Sequence, residues 1–156
     1  MVTGDKTYIR ERLRSPRETL GGFPILPRLI DKVRLFHEGH LPKEYGPNLL
    51  APLPFLDGRL LDFTGLRAED LSAAILGCSD DPCVLSWVLE HGIRRSAEEI
   101  RRWKLSIEHS HFSPERVRAI LQAYPELGAR FDLSRLNPFD LIDLDEGRIE
   151  RPGIMG

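Results

Sequence analysis

Apolar residues return along this chain at helical intervals, and the polar residues between them mark where each helix starts and stops. The clearest case is LPRLIDKVRLFHEGHL, residues 26–41. Its Leu26, Leu29, Ile30, Val33 and Phe36 share one helix face. Pro27 suits a first turn and Gly39 the residue after a last one, so a helix is predicted over residues 27–37. Arg28, Asp31 and Lys32 lie on another face, three and four residues apart, where side chains are neighbours. From Leu66 onward the same period continues. Leu71, Ala74 and Ile75 define a helix over 68–76 that stops at Gly77. Asp81 caps the next, with Pro82 in its first turn. Its Val84, Leu85, Trp87, Val88 and Leu89 predict the most buried segment of the chain. Ser96 and Glu99 form a capping box, in which each side chain satisfies the other residue's free backbone N–H. Ile100, Trp103 and Ile107 are then the inner face. Ser113 caps a further helix whose stripe (Val117, Ile120, Leu121, Tyr124, Leu127, Phe131) crosses Pro125, which kinks or splits it. Asn137 and Pro138 start a last turn through Ile142.

Two stretches break the period. Residues 1–14 are mostly polar, with Tyr8, Ile9 and Leu13 as the larger apolar anchors, and are expected to form a flexible or loosely docked arm. SPRETLGG follows as a short turn capped by Ser15 and ended by Gly21 and Gly22. Between His40 and Phe63, Pro42, Pro47, Pro52 and Pro54 alternate with Gly46 and Gly58, which excludes long regular elements. Tyr45, Leu49, Leu50, Leu53, Phe55 and Leu56 make this stretch too apolar for a solvated linker. An irregular crossing packed on the helices is expected, with one short helical turn from Asp57. There is no strand pattern and no internal repeat. The predicted fold class is all-α: a single compact domain over residues 15–156, with about five main helices of ordinary length.

Composition narrows the class without naming a chemistry. A chain of 156 residues fits one domain, since domains commonly run about 100–200 residues. It is long enough to bury a core without metals or disulfides. With 22 Lys and Arg against 24 Asp and Glu, the net charge is −2. No general attraction to nucleic acid or acidic membranes is expected. No apolar run approaches the roughly 20 residues of a membrane span. MVTGDKTYIRERLRS has no apolar stretch after its charges and does not resemble a secretory signal. Two cysteines then fit a reducing cytosol, so a cytoplasmic location is expected.

SPRETLGGFPILPRLIDKVRL, followed by GHLPKEY, resembles the opening of a bacterial family of small single-domain proteins known as a domain of unknown function, with an SPRE-LGG…LPR-IDK-R lead. LDFTGLRAEDL and SDDPCVLSWV are similar to that family's central helices, and FDLIDLDEGR to its C-terminal close. Arg67 departs from the pattern, standing where a small polar helix cap is expected. The likeness spans nearly the whole chain. It implies a shared fold and brings no activity with it.

The polar set around the first main helix is the leading candidate site: Arg17, Arg28, Asp31, Lys32, Arg34 and Tyr45. Converging arginines and a lysine hold an anionic ligand well, because Arg offers a planar fork to carboxylate or phosphate. Asp31 would orient Arg28 or Lys32. The structural alternative is an ion-pair network, with Asp31 bridging Arg28 or Arg34 and Arg17 tying down the proline-rich crossing. The acidic close around Glu146 is a second expected partner of the basic lead.

Other constellations are weaker. HEGH (His37, His40) and HSH (His109, His111) lack the spacing of a zinc helix, so no metal and no cofactor are expected. Cys78 and Cys83 have the wrong spacing for a redox pair and are expected as two small residues at a helix corner. Arg94, Arg95, Arg101, Arg102 and Lys104 are interleaved with Glu98 and Glu99, as on a solvated helix face. The helix after the HSHFS turn is not basic enough for groove recognition. DLDEGR lacks the remaining ligands of a calcium loop. No nucleophile elbow, phosphate-cradling loop or dinucleotide fingerprint is present. The sequence therefore predicts a non-catalytic interaction or small-ligand-binding module, free to self-associate, that takes an anionic small molecule or a protein partner. The alternative is a small enzyme working on an anionic metabolite through Arg28, Asp31 and Lys32.

Overall fold

A computed structural model describes residues 6–151. The chain is mostly α-helical, as the periodicity predicts. Helix α1 (Thr7–Arg12) leads into a two-stranded hairpin, β1 (Thr19–Leu20) and β2 (Phe23–Pro24). Helix α2 (Leu26–His37) follows, and a proline-rich crossing carries a single 3-10 turn at Lys43–Tyr45. Then come α3 (Leu56–Thr64), α4 (Ala68–Gly77), α5 (Asp81–His91), α6 (Ala97–Glu108), α7 (Pro114–Ala123), α8 (Glu126–Arg130) and α9 (Pro138–Asp145). Ser96 with Glu99 forms the predicted capping box. Ser113 accepts from Arg116 N, and Asn137 from Asp140 N. Pro125 separates α7 from α8.

The main core surrounds α2. Leu26, Leu29, Ile30 and Val33 pack with Phe23 of the hairpin, Leu71 and Ile75 of α4, Val84 and Val88 of α5, and Ile100 and Ile107 of α6. A second core joins α7, α8 and α9 through Ile120, Leu127, Leu133, Leu136, Leu141 and Leu144. A third, small cluster holds Ile9, Leu13, Leu35 and Tyr45.

Several expectations are corrected. Ser15 caps a short turn as predicted, its Oγ accepting from Arg17 N and its carbonyl from Glu18 N, but Gly21 and Gly22 belong to a hairpin that follows it: both take positive φ, 59° and 86°, the backbone of a tight two-residue hairpin loop. Thr19 pairs with Pro24 and Leu20 with Phe23. Residues 7–14 dock closely, with Ile9 and Leu13 buried against Leu35. The first five residues of the expected arm lie outside the described residues. Because α1 draws Leu35 inward, Phe36 turns out to solvent and is 62% exposed. Helix α5 is less buried than its composition suggests: Leu89 is exposed and only Val84 and Val88 are fully enclosed. Its cap is Asp80, which accepts from Cys83 N, while Asp81 is drawn to Arg14 instead. Helix α3 is a nine-residue helix rather than a single turn, since Leu60 and Phe63 have a core to join. Cys78 and Cys83 form a disulfide across the α4–α5 corner. Their Cα atoms are 5.6 Å apart, within the usual disulfide range.

Candidate functional site

Helix α2 begins at an unusual backbone position. Ile25, its N-cap residue, is fully buried and has φ 74°, a region that a β-branched residue enters only when its surroundings impose it. The Ile25 N–H donates to Pro16 O, and its carbonyl accepts from Leu29 N. The hairpin thus sets the angle at which α2 enters the core, and with it the direction of Arg28 and Lys32. Both are almost fully enclosed, at 3% and 5% exposure.

Arg28 meets Glu146 through two parallel bonds, Nη1 to Oε1 at 3.1 Å and Nη2 to Oε2 at 2.6 Å. This is the bidentate geometry in which a guanidinium binds a carboxylate best. Glu146 also accepts from the Tyr45 hydroxyl at 2.8 Å and from Arg148 Nε at 3.1 Å. Burial alone would push the Glu146 carboxyl up. Arg28, Tyr45 and Arg148 outweigh it and hold the group below the usual glutamate range. Burial and then the Glu146 charge push the Tyr45 phenol up, so it stays protonated and donates. Lys32 Nζ donates to Asp57 Oδ2 at 2.7 Å, and Leu50 N donates to the same oxygen. Burial, which the Asp57 attraction only partly offsets, depresses the Lys32 ammonium below the ordinary lysine value.

The remaining predicted residues sit in separate networks. Asp31 accepts from the backbone N, Nε and Nη2 of Arg14, and Arg14 continues to Asp81 at 2.6 Å. Asp31 therefore orients neither Arg28 nor Lys32, whose partners are Glu146 and Asp57. Arg17 pairs with Asp140 and Asp143 of α9 rather than with the proline-rich crossing. Arg34 donates to Cys78 O at 3.3 Å.

Beside α2 lies a cavity of about 380 Å³. Arg28, Lys32 and Tyr45 line it, together with Asp57 and Arg59 of α3, Phe112, and Arg116 and Ile120 of α7. Leu141 and Ile142 of α9 close another side. Arg17, Asp31 and Arg34 do not reach it. Asp57, Arg59 and Glu146 stand outside the residue set predicted from sequence. The acidic close pointed toward Glu146, but nothing in LDGRLLDF marks Arg59. Nor does anything in the helix after the HSHFS turn mark Arg116. Much of the basic run is locally satisfied: Arg101 and Arg102 pair with Glu98, and Arg95 donates to Phe63 O and lies 3.4 Å from Glu99. Among the described residues no group of three or more His, Cys, Asp and Glu is placed to hold a metal ion. No helix among them is long and apolar enough to cross a membrane.

The two ends of the chain that carry the quoted motifs thus meet in one ion-pair system, and a family comparison agrees with that extent. The profile described as "Domain of unknown function (DUF5069)" matches residues 10–148. The chain belongs to the DUF5069 family. No curated protein matches it. The match begins at Arg10, which donates to Glu146 O. It ends at Arg148, which bonds Glu146 and the carbonyl of Leu13. The DUF5069 unit therefore coincides with the part of the chain closed by this contact between its termini.

Proposed function

We propose that this DUF5069 chain is a small-molecule-binding module and that the cavity beside α2 is its site, with Arg28, Lys32 and Tyr45 in its wall. The supporting observation is that these enclosed polar groups border open space of about 380 Å³ rather than packed protein. That volume falls within the range of about 300–1,000 Å³ typical of small-ligand sites. The surrounding wall is chiefly apolar, through Phe55, Leu56, Phe112 and Ile120. A few convergent polar groups in an apolar hollow are the usual composition of such sites. The pairing of Asp31 with Arg14 favours binding over a reaction in which Asp31 serves a ligand held by Arg28 and Lys32. The test is fluorescence of the uncharged dye Nile red. Saturable enhancement is expected with the wild-type protein, and none with Ala119→Trp, which puts an indole into the cavity from an exposed position on α7. Absence of enhancement with folded wild type, or equal enhancement in the variant, overturns the reading.

A further inference from the structure

The charges around the cavity divide into two kinds. Arg28 and Lys32 are each neutralised by a buried carboxylate, Glu146 and Asp57. Arg59 and Arg116 are not. Arg59 reaches only neutral oxygens, Nε to Pro54 O and Nη1 to Ser110 Oγ, both at 3.4 Å. The Arg116 guanidinium lies over the Phe55 ring, 4.6 Å from its centroid. Among the described residues neither makes an ion pair with a carboxylate. Both are partly buried. Burial, and then the Arg116 charge, lower the Arg59 pKa from its ordinary value. Two cations lining one cavity in a partly dry wall, without a carboxylate partner, are an unfavourable arrangement that an anion bound to both would relieve.

We propose that the cavity takes an amphipathic anion, its carboxylate or phosphate head held between Arg59 and Arg116 and its apolar body lying against Phe112, Ile120, Tyr124 and Leu141. The planar donor fork of arginine matches both head groups. A small inorganic anion would satisfy the two arginines and leave the apolar wall unused. A neutral apolar ligand would fill the hollow and leave the arginine repulsion in place. The inference rests on the cavity being a ligand site, and it moves the anion-recognising groups from the Arg28 and Lys32 cluster to Arg59 and Arg116.

Calorimetric titration with decanoate, decyl phosphate, decanol and inorganic phosphate tests it. Decanoate or decyl phosphate is expected to bind about tenfold tighter than decanol, the size of a charge-assisted hydrogen bond. Whichever is tighter identifies the head group. Inorganic phosphate at the same concentration is expected to give no heat. Replacing both arginines, Arg59→Gln with Arg116→Gln, should bring the anions down to the decanol level and leave decanol unchanged. Arg116→Gln alone, a half-buried position on the first turn of α7, serves if the double variant does not fold. Equal binding of anions and decanol, an advantage that survives the arginine replacements, or inorganic phosphate binding as tightly as decyl phosphate each overturns the proposal. If Nile red binds and neither anion does, this inference fails while the binding-module reading stands. If Nile red also fails, both fall.

Discussion

Arg28 is a charge enclosed by protein, tolerable because everything around it answers that charge. Its guanidinium meets both oxygens of Glu146 and donates to Arg14 O. Burial opposes ionisation, and the Glu146 charge more than compensates, so Arg28 stays cationic. Removing one partner leaves the other charged and buried, which typically costs about 3–5 kcal/mol. Glu146→Gln keeps the shape and deletes the charge. It is expected to lower the urea unfolding free energy by about that amount. Arg28→Met combined with Glu146→Leu should recover most of the loss, since an apolar pair of similar volume is often as stable as a buried ion pair. A wild-type urea midpoint for Glu146→Gln would show that the pair does not hold the fold. At this scale the sequence reveals residue types and, beyond the expectation that the acidic close meets the basic lead, not which side chains pair. Arg28 and Glu146 are 118 positions apart, and no periodicity links them. Arg28, Asp31 and Lys32 read as one cluster because they are neighbours on one helix, yet each faces a different element.

At the scale of elements, local signals performed well and packing signals less so. Caps such as Ser96, Ser113 and Asn137 act within one turn of chain, so their chemistry is complete in the sequence. The exposed face of a helix is set by what packs beside it. Helix α2 read as amphipathic, yet partners on three sides bury it, and α1 rotates the enclosed stripe from Phe36 to Leu35. The tiny hairpin is not legible as strands because two-residue strands carry no alternation, although Gly21-Gly22 is its turn signal. The proline-rich crossing, read only as irregular, is fixed to α3 by a close approach at Gly58. A Cβ there would lie 2.3 Å from Pro52 C and 2.4 Å from Leu53 N. Both are backbone atoms that cannot yield without shifting the crossing and the cavity wall that Pro54 and Phe55 form. Gly58→Ala, which elsewhere in a helix would stabilise by about 0.5–1 kcal/mol, is expected instead to cost about 1–3 kcal/mol. Gly77→Ala is the control: it is also helical, with nothing within 4 Å of the added carbon, and should be neutral or mildly stabilising. Equal thermal shifts for the two variants would show that the crossing is not held at Gly58.

Across the whole molecule, the N-terminal segment and α9 are held together by charge as much as by apolar contact. Arg10, Leu13, Ser15, Arg17 and Arg28 on one side meet Asp140, Asp143, Glu146 and Arg148 on the other, directly or through backbone carbonyls. Such a closure depends on pH in a direction that can be worked out. Arg28 and its neighbours, overcoming burial, depress Glu146 below its ordinary 4.5. The hydrogen bond from Arg14 depresses Asp81 below its ordinary 3.8. For a carboxyl whose folded pKa lies below its unfolded one, unfolding takes up a proton in the window between them. Its contribution is therefore complete above the ordinary value and is lost as pH falls through the folded pKa. Stability to urea should be steady through the mildly acidic range and decline once pH drops below about 4.5, with a slope that includes one Glu146 proton. Glu146→Gln removes that proton from the linkage, so its stability, though lower, should fall less steeply over the same window. High salt should leave the difference largely intact, because enclosed pairs are screened far less than surface ones. Parallel declines of wild type and Glu146→Gln would mean that acid opens the molecule elsewhere. The Arg14–Asp81 pair, which ties the segment before the hairpin to α5, would then be the next bond to remove.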